Sequence, residues 1–403
     1  LSWKSIKADQ NGLVDIGRLH PRSGEPDAVF AKTMLTSEKE ETRKFDIGYS
    51  DIVSVFLNGR LLFEANSQYQ SRDSSFLGVV GYFDSLMLPL KQGENELLLT
   101  VAEISGGWGF MVRDGQAEFA LEGIKKAWET QRSFSVPESV AYDKARSCLY
   151  VSNYDGYKPS PAEGRQAISK VGLDGSVLAF EWVKGLRNPT GLCVVGDRLW
   201  AVERGSLVEI DIPGERILNR IPLPEARMPN DVAAAADGTF YVTDSARSAI
   251  YKVSGGMAEV WLSGPEIGRP NGIAVDGKSL IVGTNLDGCL KSIDLATKAV
   301  GVIARLGAGI IDGIAVMPGG RYIVSHNEGR LFLVKASPPG EGTAAKVMDM
   351  TVPARNIADF AYIESGEKSV IVFPTFTDNR LAAYNAPASV FARSFRRPSG
   401  NGP

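Results

Sequence analysis

Pro229-Asn230-Asp231, Pro270-Asn271-Gly272 and Ile311-Asp312-Gly313 are the stretches whose reading decides the fold. Each tripeptide opens a short apolar run, from Val232, Ile273 and Ile314. Each run then passes a turn into a second one, Phe240 to Thr243, Leu280 to Val282 and Tyr322 to Val324. Asn230 and Asn271 stand 41 residues apart, and Asn271 and Asp312 again 41. A fixed period of this length, made of short strands without helical periodicity, predicts propeller blades. The strand pattern is constant while its first polar position changes, and chemistry is expected at that position.

The repeat extends in both directions. First strands align at Glu138-Ser139-Val140-Ala141, Thr190-Gly191-Leu192-Cys193, Asn230-Asp231-Val232-Ala233, Asn271-Gly272-Ile273-Ala274, Asp312-Gly313-Ile314-Ala315 and Ala358-Asp359-Phe360-Ala361. Six blades are therefore expected over residues 134–385, with a long loop in the first at Tyr154 to Arg165. Residues 386–403, rich in Pro, Ser, Arg and Gly, read as a tail, although Ser389 to Phe395 offers an outer strand to a blade.

Residues 1–122 lack the repeat. Strand-like runs at Ile52 to Leu57 and Glu96 to Ala102, broken by turn signals at Asn58-Gly59 and Gly93-Glu94-Asn95, predict a β-sandwich. Residues 123–133 are mixed polar and read as a connector. Gly106-Gly107-Trp108-Gly109 has no following Lys-Ser/Thr and no strand-to-helix context, so it is read as a tight turn and not a phosphate loop. The expectation is an all-β chain, a sandwich followed by a six-bladed propeller.

Composition narrows the function classes. A chain of 403 residues suggests two domains, and a net charge of −3 gives no reason to expect nucleic acid or an anionic membrane as partner. No apolar run approaches the roughly 20 residues that span a bilayer. Cys148, Cys193 and Cys289 sit in or beside strand-like runs without C-x-x-C spacing and are read as free buried thiols. With only His20 and His326 present, a multi-His zinc or iron site is not expected. Neither G-x-S-x-G nor H-E-x-x-H occurs, so serine-hydrolase and zincin mechanisms have no support. The chain begins at Leu1, as after removal of a leader or after trimming, and a periplasmic or secreted location is the expectation.

In a propeller the first strand of each blade lines the central channel. Glu138, Thr190, Asn230, Asn271, Asp312 and Ala358 should therefore converge at its mouth. Two carboxylates and two carboxamides supply hard oxygen ligands that suit one divalent cation, with Ca²⁺ favoured and Mg²⁺, Mn²⁺ or Zn²⁺ as alternatives. Asn or Asp before Gly is also an ordinary turn former, but four oxygen-bearing residues in one repeat column favour a metal. Loops at the same face offer Tyr154, Asp155 and Tyr157, Glu203 and Arg204, Asp244 and Arg247, Asn285 and Asp287, and His326 and Glu328.

Pro137-Glu138-Ser139, Asn230-Asp231, Pro270-Asn271-Gly272 and Asp312-Gly313 resemble the regucalcin and gluconolactonase (senescence marker protein) family. That resemblance implies that Glu138, Asn271 and Asp312 bind a divalent metal, that Asn230 contacts substrate or a metal-bound water, and that Asp312 serves as general base in hydrolysis of sugar lactones. Asp312 and Asn230 are then the catalytic candidates. The family often carries Arg two residues before the Asn matching Asn230, and here that residue is Met228. Arg204 or Arg247 is expected to replace it in holding substrate, with His326 as a further contact, while Arg227 lies one place out of register. In the first domain, Val55-Phe56-Leu57-Asn58-Gly59, Leu88-Pro89-Leu90-Lys91-Gln92-Gly93-Glu94-Asn95 and Gly106-Gly107-Trp108-Gly109-Phe110 resemble the galactose-binding-like jelly-roll modules attached to carbohydrate-active enzymes. The alternative function is a non-catalytic propeller that binds a carbohydrate or protein partner around a structural metal.

Overall fold

The computed structural model describes residues 3–8, 12–20, 26–72, 76, 78–104, 108–115, 119–120, 123–154, 166–307, 309–338, 340–351, 355–366 and 368–392. The chain is all-β and divides into two compact units, Leu1–Ala117 and Glu118–Pro403. The glycine turn at 106–107, Asp155, Tyr157 and most of the long loop after Tyr154 lie outside the described residues.

The first unit holds two four-stranded antiparallel sheets. One runs in the order Leu13–Asp15, Gly109–Asp114, Glu41–Ser50, Asp84–Leu90, and the other Asp27–Ser37, Gly93–Glu103, Ile52–Leu57, Arg60–Asn66. Strict alternation along Gly93–Glu103 sends Leu97, Leu99 and Val101 inward, where they meet Ile47, Tyr49 and Leu88 of the facing sheet in one core. Asn58 and Gly59 form a two-residue hairpin with φ of 51° and 80°, a left-handed pair that the Asn-Gly sequence tolerates.

The second unit is a β-propeller of antiparallel four-strand meanders. Three stand alone: Pro137–Asp143 to Val177–Val183, Leu192–Val195 to Arg216–Pro222, and Pro229–Ala234 to Met257–Ser263. Two more, Pro270–Asp276 to Val300–Arg305 and Gly309–Met317 to Gly340–Asp349, are joined because Asn285 and Leu286 pair with Ile310 and Gly309. Phe119–Ala120 adds to the outer edge of the second of these. Core clusters form between neighbouring sheets, as where Val202, Leu207 and Ile221 meet Val232, Val242 and Tyr251.

The last meander corrects the sequence reading twice. Its inner three strands are Ala361–Ser365, Lys368–Thr375 and Arg380–Pro387, and its outer strand is Lys125–Glu129, from the stretch that composition reads as a connector. Polarity misleads there because an outer strand exposes much of its surface. Of Ser389 to Phe395, offered as an outer strand, the described part falls in a short helix, Ala388–Ala392, that buries Val390 and Phe391 against the last sheet, and residues 393–403 lie outside the described ones. All three cysteines are free, with Cys148 and Cys289 buried and Cys193 partly so. Among the described residues no helix is long and apolar enough to cross a membrane.

Candidate active site

One local irregularity, repeated four times, builds the site. Pairing of each inner strand with the second slips between Pro137 and Val140, between Pro229 and Val232, between Pro270 and Ile273, and between Ile311 and Ile314. Three steps on the inner strand oppose two on its partner, which is a β-bulge. The first bulged residues are Glu138, Asn230, Asn271 and Asp312. A bulge re-aims its side chain and leaves a backbone N–H without a ladder partner. Hydroxyls on the second strand take up that donor: Ser139 N donates to Ser152 Oγ (2.9 Å), Asp231 N to Thr243 Oγ1 (3.0 Å) and Gly313 N to Ser325 Oγ (2.7 Å). Thr243 and Ser325 then donate to the carbonyls of Asn271 (2.6 Å) and Ala358 (3.0 Å), tying each sheet to the next.

The four side chains form the floor of a cavity of about 300 Å³. Tyr154, Asn188, Thr190, Arg204, Arg227, Met228, Pro229, Asn285, Ile310, Asn327 and Phe376 complete its walls. Glu138, Asn230, Asn271 and Asp312 are 5%, 7%, 3% and 4% exposed. Asn230 Nδ2 lies 3.4 Å from Glu138 Oε1, a weak hydrogen bond. Glu138 Oε2 and the Oδ1 atoms of Asn230, Asn271 and Asp312 are all buried without any hydrogen-bond partner. Four buried oxygens left unpaired in one place are expensive unless something positive accepts their lone pairs.

Chemistry of the donor set indicates what that is. Among the described residues no three His, Cys, Asp or Glu side chains cluster as a metal site. Here, however, two of the four donors are amide oxygens, and an all-oxygen set of two carboxylates and two carboxamides fits a hard cation such as Ca²⁺ better than a thiolate- or imidazole-seeking metal. The residues present therefore fit one divalent cation.

A second layer lies one residue beyond Asn230 and Ala358. Asp231 accepts from Val232 N (2.7 Å) and Ile273 N (2.9 Å), and Asp359 accepts from Phe360 N (2.9 Å) and the Ser139 hydroxyl. Both carboxylates are fully engaged and are not ligand candidates. Desolvation first, and the surrounding carboxylates second, push the Glu138 and Asp312 carboxyls well above their ordinary values; Asn327 pulls Asp312 the other way. Burial pushes Asp359 up to about 6.

A pH dependence follows. Carboxyls whose folded-state pKa is raised stabilise the metal-free fold below their unfolded pKa, near 4, and that contribution is lost as pH rises through the raised values. A dication bound there would supply the missing charge and compete with protons for the same oxygens. The melting-temperature increase given by Ca²⁺ is thus expected to be larger at about pH 7.5 than at about pH 5. Thermal melts with and without Ca²⁺ at the two pH values check it, and an equal increase at both contradicts it.

Small residues keep the floor tight. A Cβ on Gly272 would fall 1.5 Å from the Asp312 carbonyl oxygen. Gly272→Ala is therefore expected to destabilise by about 2 kcal/mol, overriding the few tenths that Gly→Ala usually contributes, and to displace Asp312. Chemical denaturation measures the first effect and loss of the Ca²⁺-induced melting shift the second.

Other sequence expectations divide. Thr190 lines the cavity, its hydroxyl donating to Asn230 O (2.6 Å), whereas buried Ala358 does not. Arg204 lines the cavity. Arg247 does not, because it is held by Pro224 O (2.9 Å), Tyr251 Oη (3.0 Å) and Glu225 (3.0 Å). His326 is fully buried and absent from the wall, with Gly309 against its ring. Arg227 takes the position expected of Arg247, and Met228 also lines the cavity. Asn188, Asn327 and Phe376 were not singled out in sequence. A Pro after Asn188 and a φ of 48° at that Asn are the signs of a rigid turn presenting its side chain.

No family model matches the sequence, and no curated protein matches it. Solved structures do. One described as a gluconolactonase is 18% identical, covers 65% of this chain and 92% of its own, and has a TM-score of 0.50. A gluconolactonase of Xanthomonas campestris is 18% identical, covers 64% of this chain and 88% of its own, and has a TM-score of 0.50. The likeness defines a β-propeller protein. Those two neighbours are described as gluconolactonases, and at 18% identity the likeness shows the fold.

Proposed function

We propose that this protein is a metal-dependent hydrolase of sugar lactones or related cyclic esters, acting through a six-bladed propeller with a jelly-roll accessory module before it. The convergence of four unpartnered, buried oxygens on the floor of one cavity carries the proposal. The six repeats of four strands, and two facing sheets around one core in the first unit, support the architecture.

Glu138, Asn271 and Asp312 would hold one divalent cation, with Ca²⁺ best matched to the oxygens. When bound, such a cation polarises a carbonyl and lowers the pKa of water. Asp312, kept unprotonated by the cation's charge, takes a proton from the attacking water as its oxygen bonds to the lactone carbonyl carbon. Collapse of the tetrahedral intermediate breaks the ring C–O bond, and the proton passes to the departing alkoxide, leaving a hydroxy acid. Asn230 orients the carbonyl or the water through its amide.

The test is acid release from a panel of aldonolactones by chelator-treated protein, with Ca²⁺, Mg²⁺, Mn²⁺ or Zn²⁺ restored one at a time. Metal-dependent turnover is expected. Metal binding without turnover of any lactone would instead favour a partner-binding propeller.

A further inference from the structure

We infer that the substrate carries an anionic group, and that Arg204 and Arg227 form the clamp that receives it at the cavity mouth. The inference deepens the lactonase proposal and rests on it for the chemistry, but not for the binding.

Both guanidiniums belong to exposed residues that line the cavity, and among the described residues neither makes a hydrogen bond or ion pair. Their backbones are nevertheless anchored. Arg204 follows the strand Arg198–Glu203, its N–H donating to Arg187 O (2.9 Å). Arg227 and Met228 donate their backbone N–H groups to the two oxygens of fully buried Asp244 (2.8 and 3.1 Å), so the segment leading to Asn230 is anchored from below. Neighbouring Arg247 and Arg269 are engaged within the protein, Arg247 by Glu225 and Tyr251 and Arg269 by Ser245 O. Two arginines that line one cavity from anchored backbone, without a side-chain partner among the described residues, offer charged donors to a carboxylate or phosphate.

Another stretch of the wall is different. Tyr154 and Phe376 face each other with ring centroids 6.3 Å apart and planes inclined by 30°. They come from the first and last sheets, and the arginines from the second sheet and its link to the third. The lining thus carries a cationic stretch and an aromatic one, over a floor whose two carboxylates a dication would neutralise. A ligand matching it has a flat, weakly polar face, a reactive carbonyl at the floor and an anion beside the arginines.

Three lactones of one carbon skeleton separate the sources of charge: neutral glucono-δ-lactone, the carboxylate-bearing glucaro-γ-lactone and phosphogluconolactone. Hydrolysis by the metal-loaded protein is compared in wild type, Arg204→Gln, Arg227→Gln and the double variant. Binding of the non-reacting acids glucarate and gluconate is measured by calorimetry on the same samples. One of the anionic lactones is expected to be preferred over the neutral one, with each substitution raising its KM about fivefold and both together about twentyfold. The kcat for that anionic lactone should stay within about twofold, so that the loss falls on KM. Turnover of the neutral lactone equal to or better than both anionic ones, unchanged by the substitutions, would overturn the clamp and leave the hydrolase standing. No turnover of any lactone, with glucarate bound by wild type and lost in the double variant, would overturn the hydrolase and leave the clamp. Absence of both anion binding and anion preference in wild type would remove the clamp outright.

Discussion

Asp312→Asn is expected to reduce metal-dependent lactone hydrolysis by about a thousandfold or more. The variant keeps the side-chain volume and one oxygen in the ring but cannot accept a proton from water, and general-base catalysis alone contributes about 10²–10⁴-fold. It also removes one of the two charges that would hold the cation. Stability gives an independent check of opposite sign. Asp312 is a desolvated carboxyl facing Asp359, so its charge is unfavourable in the metal-free protein near neutral pH. Metal-free Asp312→Asn should melt no lower than wild type at about pH 7.5, and should respond little to Ca²⁺. Loss of activity together with a lower metal-free melting temperature would mean that Asp312 supports the fold, and the catalytic assignment would fall.

Trp128→Ala/Glu129→Ala is expected to destabilise the second unit by about 5 kcal/mol, lowering its melting temperature by about 10–20 °C. These residues end the outer strand Lys125–Glu129, which the chain lays down before any other strand of the last sheet. Glu129 receives Arg355 at 2.5 Å and Arg380 at 3.3 Å, largely out of solvent, so its removal takes away an anion that two cations share, while Arg380 keeps Asp378 at 3.1 Å. Trp128 reaches the first sheet, its indole N–H donating to Leu173 O (2.8 Å) with its ring against Gly175. Pairing an early strand with the last three, and bridging both to the first sheet, closes the ring at its rim. Asp359 N closes it at the centre by donating to Glu138 O (3.1 Å). Because Glu138 stands at that closure, the double variant should also weaken the Ca²⁺-induced melting shift. A change below about 1 kcal/mol in denaturant would show that the ring does not depend on this strand.

The 41-residue spacing carried the propeller, because each inner strand must repeat its alternation to reach the channel, and it carried Asn230, Asn271 and Asp312 as one column, which Glu138 joins through steps of 52 and 40 residues. Bulges were hidden in that same column: Pro-Glu, Pro-Asn and Ile-Asp read as strand starts, and only cross-strand pairing shows the extra residue. Ala358 fell out because it is a buried alanine whose carbonyl serves the ring while its side chain reaches nothing in the cavity. Choosing Arg247 over Arg227 failed for a different reason. Both follow turn segments anchored on Asp244, and only the three-dimensional placement of Glu225 and Tyr251 decides which guanidinium is occupied. His326 looked like a loop histidine but ends a second strand, where packing and not solvent surrounds it. Lys125–Glu129 was unreadable as a strand of the last sheet because its partners lie some 250 residues away in sequence.

Calorimetric titration of Ca²⁺ into chelator-treated protein, in wild type and Glu138→Gln, tests the central claim most directly. One cation per chain in wild type, with affinity lowered about a hundredfold or lost when the Glu138 charge is removed, is the predicted result. Wild type that binds no divalent cation, or binds one with an affinity that Glu138→Gln leaves unchanged, would contradict it.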